Sequence, residues 1–260
     1  MLRSFLSGRQ HVGVAEIVEA LGTPKSSTSR LLAAMRDGGL LEQDPDTLKY
    51  RPGMLLFRLG TIYLHNLRIY DLLTEFMIEL VEETGHVGSI GALDGDHVVI
   101  LQAQIGSNPI RTAVEAGRRV PAHATALGKA LLARLDKRAV ERLYPKGLYA
   151  YTPHTIATLP NLHAALAKVR ETHLAPMEQE MSLGTGALAM SFAKVNQLDE
   201  PLSVALSYPL AATTAKQVAE TRKVMVERGK QLGERLGDPF WSADAPRPLT
   251  QIGGRPVAGT

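Results

Sequence analysis

The 260-residue chain contains no cysteine, which excludes disulfides and any metal or redox centre built on thiolates. Aromatic residues make up only 5%, with Trp241 the single tryptophan, so a core must be assembled mainly from aliphatic side chains. No apolar run reaches the ~20 residues that a membrane-spanning helix needs, and no signal-peptide pattern opens the chain. These absences set the expectation of a cytoplasmic protein with no membrane partner. Charge is nearly balanced, 29 Lys and Arg against 26 Asp and Glu, for a net of +3. No overall field steers such a chain to a polyanion, so nucleic-acid affinity must rest on where individual cations stand. What is present is ample apolar material, 45% of residues, in a length that suits one large domain or two smaller ones.

The most informative stretch is Val14–Tyr50. VAEIVEAL (Val14–Leu21) has the period of a short amphipathic helix, and GTPKSSTSRLLAAMRDGG (Gly22–Gly39) reads as a turn, a second helix and a glycine stop. LLEQDPDTLKY (Leu40–Tyr50) reads as a strand, a turn carried by Asp44-Pro45-Asp46, and a returning strand. Thr23 is the expected cap of the second helix, with Pro24 at its first position. Leu31, Leu32 and Met35 are expected to face the core. Lys25, Ser26, Ser27, Thr28 and Arg30 crowd the opening turns with hydroxyls and cations, which suits phosphate and base-edge contact. Capping and solvation alone also explain such clusters; the order helix, turn, helix, two-stranded ribbon favours a winged helix-turn-helix. In that reading Ser26, Ser27, Thr28 and Arg30 touch bases or backbone, and Lys25, Lys49 and Arg51 reach phosphates.

This segment resembles the DNA-binding half of IclR-type transcriptional regulators. The resemblance is carried by Ala15-Glu16-Ile17, Gly22-Thr23-Pro24-Lys25-Ser26, Arg30-Leu31-Leu32, Gly39-Leu40-Leu41-Glu42 and Tyr50-Arg51-Pro52-Gly53. It departs at the start, where the family's longer first helix has only Leu2, Phe5 and Leu6 to correspond to it, which leaves open a shortened first helix or a different start site.

Beyond the wing, Gly53–Leu67 is helical in period and strongly apolar, which points to a linker helix that packs on its own domain and pairs with its copy in a dimer. Asp71–Thr84 predicts a helix with Leu72, Leu73, Phe76, Met77, Leu80 and Val81 on one stripe. Val87–Leu93 and His97–Gln104 flank Asp94-Gly95-Asp96 as a hairpin, and Ile110–Val114 is expected as a third strand. Helices are expected over Ala124–Leu135, Lys137–Tyr144, Leu159–Glu171 and Thr213–Leu236. Strands are expected over Leu174–Glu178, Gly186–Val195 and Leu202–Tyr208. The tail beyond Pro239 is rich in Pro, Gly and Ala and is expected to be flexible. Helices around a mostly antiparallel sheet make the fold class α+β. The expected division is a winged domain over 1–53, a linker helix over 54–69, an effector-binding domain over 70–238 and a tail over 239–260.

Candidate chemistry in the second half is sparse. Gly128-Lys129 lacks the spacing of a phosphate loop. His123 has no partner at metal-ligand spacing and reads as a structural histidine at the mouth of a pocket. His86 and His97 stand alone, and Glu180 reads better as a loop brace than as a general base. No serine sits in a nucleophile elbow. No catalytic residue, metal site or cofactor is therefore expected.

Pro121–Ala133 (PAHATALGKALLA), with Glu180-x-x-x-Gly184 and Ala187–Phe192 after it, resembles further IclR landmarks, so the likeness runs from about Leu2 to Leu236. It implies a GAF- or profilin-like sheet that senses a small molecule, often an organic acid. Carried over by position, the effector site falls on Thr112, Val120, Ala126, Leu127, Met177, Ala187, Ala205 and Ser207. Where family members that bind small keto acids have an acidic residue, a cysteine and paired serines, this chain has Met177, Ala187, Ala205 and Ser207. That shift predicts a bulkier, less polar carboxylate held by backbone amides near Ala126 and Leu127; the alternative is a pocket filled by Met177. The implied function is a homodimeric, possibly tetrameric, regulator binding a pseudo-palindromic operator on double-stranded DNA under effector control. Its rivals are an enzyme built on the second domain and a DNA-binding dimer that senses nothing.

Overall fold

Helix α1 (Val14–Leu21) stops because Gly22 takes the left-handed conformation, with φ 62°, that closes its last turn. Helix α2 (Lys25–Asp37) follows after two residues. The computed structural model describes residues 2, 5, 11–67, 69–107, 114–194 and 200–242, and the chain divides into a unit of residues 1–67 and a unit of residues 68–260. The first helix expected before Val14 and residues 243–260 of the expected tail lie outside or almost wholly outside the described residues.

In the N-terminal unit, β1 (Leu41–Gln43) and β2 (Tyr50–Pro52) form the antiparallel wing, with Leu41 opposite Pro52. The wing turn is held by Asp44, whose Oδ1 accepts from Thr47 N–H at 2.7 Å, Thr47 Oγ1 at 2.8 Å and Asp46 N–H at 3.1 Å. Helix α3 (Met54–Asn66) ends the unit. Its small core is Val12, Ile17, Leu32, Leu41 and Tyr50, with Phe5, Val14 and Met35 against it. Leu31, expected in that core, is 51% exposed instead. The inner face of α2 runs through Thr28, Leu32 and Met35, and Leu31 stands about 100° around the helix from Leu32.

The C-terminal unit opens with α4 (Tyr70–Thr84), whose Leu73, Phe76, Met77, Leu80 and Val81 are buried. Strands β3 (Val87–Asp94), β4 (His97–Gln104), β5 (Arg119–Pro121), β6 (Ala175–Glu178), β7 (Thr185–Phe192) and β8 (Leu202–Pro209) form one six-stranded sheet in the order β5-β4-β3-β8-β7-β6. All its described pairings are antiparallel. Residues 110–113 of the third strand expected over Ile110–Val114, and Val195, lie outside the described residues; the strand that pairs with β4 is β5. Helices α5 (Ala126–Leu132), α6 (Lys137–Leu143), α7 (Leu159–Thr172) and α8 (Ala215–Leu236) complete the unit.

Side chains alternate across the sheet. Ile90, Leu188, Met190, Phe192, Val204 and Leu206 face α4 and α8, where Phe76 meets Phe192 edge-on at 5.6 Å. At Gly88 a Cβ would fall 2.5 Å from Val81 Cγ2, so only glycine lets β3 approach α4 this closely. The opposite face is covered by α5. Every α5 residue is buried, and a Cβ on Gly128 would lie 2.1 Å from the Ala122 carbonyl oxygen. Gly128 is thus a packing glycine, in line with the missing phosphate-loop spacing.

Residues Pro239–Trp241 of the expected tail form a short turn of helix packed into the C-terminal unit. Asp238 is 2% exposed, and Phe240 and Trp241 are buried, because Arg134 reaches through the core to hold the segment. Arg134 Nη2 stands 2.5 Å from Asp238 Oδ2 and 2.7 Å from the Ser191 carbonyl, and Nε donates to Ser191 Oγ at 2.8 Å. Asp238 also accepts the Ala193 and Phe240 amides at 2.8 and 3.1 Å. Trp241 stacks on Phe192 at 5.2 Å. Replacing Arg134 by Met leaves a buried carboxylate without its cation and is expected to cost about 3–5 kcal/mol. Urea unfolding followed by Trp241 fluorescence checks this; an unchanged midpoint contradicts it.

Candidate functional site

In the N-terminal unit, the opening of α2 presents Lys25, Ser26, Ser27 and Arg30 to solvent. Thr28 does not join them. It is 2% exposed, its Oγ1 donates to the Pro24 carbonyl at 3.1 Å, and it lies 2.8 Å from Thr23 Oγ1. The expected contact of Thr28 with DNA is therefore corrected: the hydroxyl points inward and is spent on the turn. Thr23 is corrected too. Pro24, with ψ 137°, is the residue before the helix, no side chain caps α2, and the Thr23 hydroxyl bonds Thr28 instead. Leu31, one turn beyond Ser27, adds an apolar group to the exposed edge. Sequence periodicity alone had assigned it to the core.

Lys49 and Arg51 flank the wing and are engaged with neighbouring carboxylates, Lys49 Nζ 3.5 Å from Glu16 and Arg51 Nη2 2.8 Å from Glu42. These are exposed pairs, worth at most about 1 kcal/mol, so both cations remain transferable to a stronger anion.

The C-terminal unit holds a half-open cavity of about 90 Å³ between α5 and the sheet. Seven of the eight expected effector residues line it: Val120, Ala126, Leu127, Met177, Ala187, Ala205 and Ser207. Thr112 lies outside the described residues. The sheet register explains the convergence, since Met177 pairs with Ala187, Ala187 with Ser207 and Val87 with Ser207, placing these side chains on one face. Further lining residues escaped the sequence reading: Ser89, Ile100, Val114, Arg118, Thr125, Met181, Ser182 and Thr185. Ser89 was legible only as one polar residue within an apolar strand, and Arg118 precedes a strand that periodicity did not find. A larger, open groove of about 610 Å³ runs between the wing and the start of α3. Its lining mixes Arg36, Arg51 and Arg58 with Glu42 and Asp44 beside Leu41, Met54 and Leu55.

Lys129 and Glu180 form a buried ion pair that ties α5 to the loop after β6. Burial pushes the Lys129 ammonium down and the Glu180 carboxyl up, and each partner's charge opposes that shift. Thr155 Oγ1 donates to the Glu180 carbonyl at 2.5 Å and Thr152 Oγ1 to the Gln179 carbonyl at 2.6 Å. Glu180 is thus placed as a brace for the loop that carries Met181 and Ser182. His123 lies outside the cavity lining rather than at its mouth, because its Nε2 is bonded to the Tyr149 carbonyl at 2.9 Å and its ring stands edge-on to Tyr144.

An exposed cationic helix edge on a winged helix-turn-helix, in one chain with a cavity in an α+β unit, defines a ligand-binding transcriptional regulator. Residues 1–45 match the family model for the IclR helix-turn-helix domain, and residues 61–231 that for the bacterial transcriptional regulator IclR C-terminal region. The chain belongs to the IclR family of bacterial transcriptional regulators. It is 30% identical over 231 residues to the HTH-type transcriptional regulator XynR of Escherichia coli K12, covering 87% of this chain and 90% of that one. It is 28% identical over 225 residues to the transcriptional repressor IclR of the same organism, covering 85% and 81%. A putative IclR regulator from Silicibacter sp. TM1040 superposes with a TM-score of 0.78 at 25% identity, covering 91% of this chain and 93% of that one. An IclR homologue from Microbacterium hydrocarbonoxydans, solved in complex with 4-hydroxybenzoate, superposes at 0.73 with 20% identity, covering 87% and 94%.

Burial lowers the pKa of His86, His123 and His173, and each leaves its Nδ1 buried with no partner among the described residues. In the unfolded chain these rings take up a proton near pH 6.5 while the folded state resists it, so unfolding is favoured as pH falls through that region. Glu180, raised by burial, works in the opposite direction but is one group against three. The urea midpoint is expected to be lower at pH 5.5 than at pH 7.5, and His123→Gln is expected to flatten the decline. A midpoint that rises on acidification contradicts this.

Proposed function

We propose that this regulator reads its operator with the α2 edge formed by Lys25, Ser26, Ser27 and Arg30, and that an organic acid with an apolar body occupies the α5 cavity and shifts operator affinity. The observation that carries the reading is the combination of a solvent-facing cationic edge on α2 with a cavity whose walls are Val120, Leu127, Met177 and Ala187. Arg30 suits a bidentate contact to guanine, the serines suit phosphate or base edges, and Leu31 suits a thymine methyl. Lys25, Lys49 and Arg51 supply phosphate contacts. The protein acts as a cytoplasmic regulator without catalytic activity, in keeping with the regulators and repressors it resembles.

The α3 helix supports a homodimer. None of its residues is buried, and Met54, Phe57, Ile62 and Tyr63 are between 46% and 71% exposed. In the proposed mechanism two copies place their α2 helices in successive major grooves of a pseudo-palindromic site, and the segment 55–83 conveys the effector's preference for one arrangement.

DNA selected from a random library by the wild-type protein tests the reading edge. Arg30→Ala is expected to weaken binding by roughly tenfold or more while leaving effector affinity unchanged. Thr28→Val, at a position that faces inward, is expected to leave DNA affinity of the folded protein nearly intact. Equal DNA affinity of wild type and Arg30→Ala removes the assigned contact.

The cavity also limits the effector. A dry cavity of about 150 Å³ accommodates benzene, so at about 90 Å³ this one admits an aromatic ring only if Met177 or Met181 swings aside. Both are flexible enough to do so. Calorimetry is expected to show 3-methylbutanoate and 4-hydroxybenzoate binding at least about tenfold tighter than glyoxylate, from the apolar surface they bury. Met177→Ala is expected to favour the aromatic acid. Glyoxylate binding tightest overturns this account of the effector.

A further inference from the structure

Most hydroxyls on the α5-facing side of the sheet and around the cavity are already used. Ser191 Oγ donates to the Ala130 carbonyl at 2.8 Å, Ser203 Oγ to the Gly91 carbonyl at 3.3 Å, Thr125 Oγ1 to the Pro121 carbonyl at 2.9 Å, and Ser182 Oγ to Thr185 Oγ1 at 3.3 Å. Ser89 and Ser207 are different. Both line the cavity, and neither side chain makes a hydrogen bond to any described residue. Ser89 is 2% exposed as a residue, and its hydroxyl opens onto the cavity without a bond to any described residue.

A hydroxyl that faces a cavity and bonds nothing in the described protein is a polar group placed for a ligand to bond. The register supplies the geometry. Ser89 on β3 lies directly opposite Ala205 on β8, and Ser207 is two residues further along the same strand, a diagonal neighbour on the same face. Arg118, just before β5, is the one charged residue among the described residues that line the cavity. The side chains facing them from β6, β7 and α5 are Met177, Ala187 and Leu127. The Thr125, Ser182 and Thr185 hydroxyls near α5 and β7 are taken up in bonds within the protein, so the unbonded hydroxyls that line the cavity lie on β3 and β8.

We infer that Ser89 and Ser207, with Arg118, form the carboxylate receptor of the effector cavity. This deepens the organic-acid reading above and rests on it. The two serine hydroxyls donate to the carboxylate oxygens, the guanidinium balances the charge, and the apolar body of the acid points toward Met177 and Ala187. Ser89 is the defining member, since it supplies a hydroxyl across from Ala205, where β8 itself has none.

The test is calorimetry on the full chain with two acid and amide pairs, 4-hydroxybenzoate with 4-hydroxybenzamide and 3-methylbutanoate with 3-methylbutanamide. A hydrogen bond to a charged group sets the scale, so Ser89→Ala is expected to weaken the bound acid by roughly tenfold or more and to change amide binding much less. Arg118→Gln is expected to abolish the preference for acid over amide. Adding Ala205→Ser to Ser89→Ala returns a hydroxyl to the facing position and is expected to restore part of the acid affinity. Urea unfolding of the free protein supplies the second readout: Ser89→Ala, which removes a hydroxyl that bonds no described residue, is expected to leave the midpoint unchanged or raise it. Acid affinity that survives Ser89→Ala overturns the inference alone, as does a Ser89→Ala variant destabilised without ligand, which marks Ser89 as structural. Failure of both acids to bind the wild type overturns the inference and the organic-acid reading together.

Discussion

Helix α5 is buried along its whole length, and it carries a lysine. The ion pair between Lys129 and Glu180 makes that placement tolerable, because an ammonium taken out of water without a counter-charge is far costlier than a paired one. Much of the C-terminal unit depends on this. With α5 held against the sheet, Ala126 and Leu127 form one wall of the cavity. With Glu180 held, the loop after β6 is fixed from its side chain and, through Thr152 and Thr155, from its backbone. Met181 and Ser182 come from that loop. One interaction thus positions two walls of the binding site without any of its own atoms lining the cavity.

The sheet uses its two faces for different ends. Toward α4 and α8 it presents Ile90, Leu188, Met190, Phe192, Val204 and Leu206, a dry aliphatic layer closed by the Phe192 and Trp241 stack. Toward α5 it presents small and hydroxyl-bearing residues, Ser89, Ala187, Ala205 and Ser207. Small side chains leave a space that α5 cannot fill, since Gly128 already brings its backbone against Ala122. The cavity is therefore a consequence of residue size on one face of a sheet whose other face is packed solid. The Arg134 and Asp238 clamp secures the solid face by folding Phe240 and Trp241 under α8.

What the sequence disclosed follows physical locality. Helix α1, the second helix, the wing and the hairpin at Asp94-Gly95-Asp96 are written in period, glycine stops and turn residues, all of which act within a few positions. Residues whose role depends on register or rotation were harder to place. Leu31 and Thr28 differ from expectation because helical phase decides which of two adjacent residues turns inward, and both Thr28 and Leu32 won the inner face. Ser89 was missed because its partner on β8, Ala205, is more than a hundred residues away and nothing local reports that pairing, and Arg118 because the strand it precedes has no periodic signal. Trp241 was assigned to a flexible tail on composition, yet the anchor that holds the segment, Arg134, lies over a hundred positions upstream.

The same locality bears on regulation. An effector alters operator affinity only by as much as its binding free energy differs between the arrangements that do and do not suit the DNA. A cavity lined entirely by satisfied groups and rigid side chains would bind with little consequence for its walls. In the proposed reading this one offers an occupant two kinds of group, the hydroxyls of Ser89 and Ser207, which bond no described residue, and the flexible thioethers of Met177 and Met181. The hydroxyls lie on β3 and β8, the two central strands, while the methionines lie on β6 and on the loop that Glu180 braces. If the proposed acid bonds the first pair and displaces the second, its binding couples the centre of the sheet to its β6 edge, and because the other face is closely packed the groups free to adjust are those on α5 and the loop after β6.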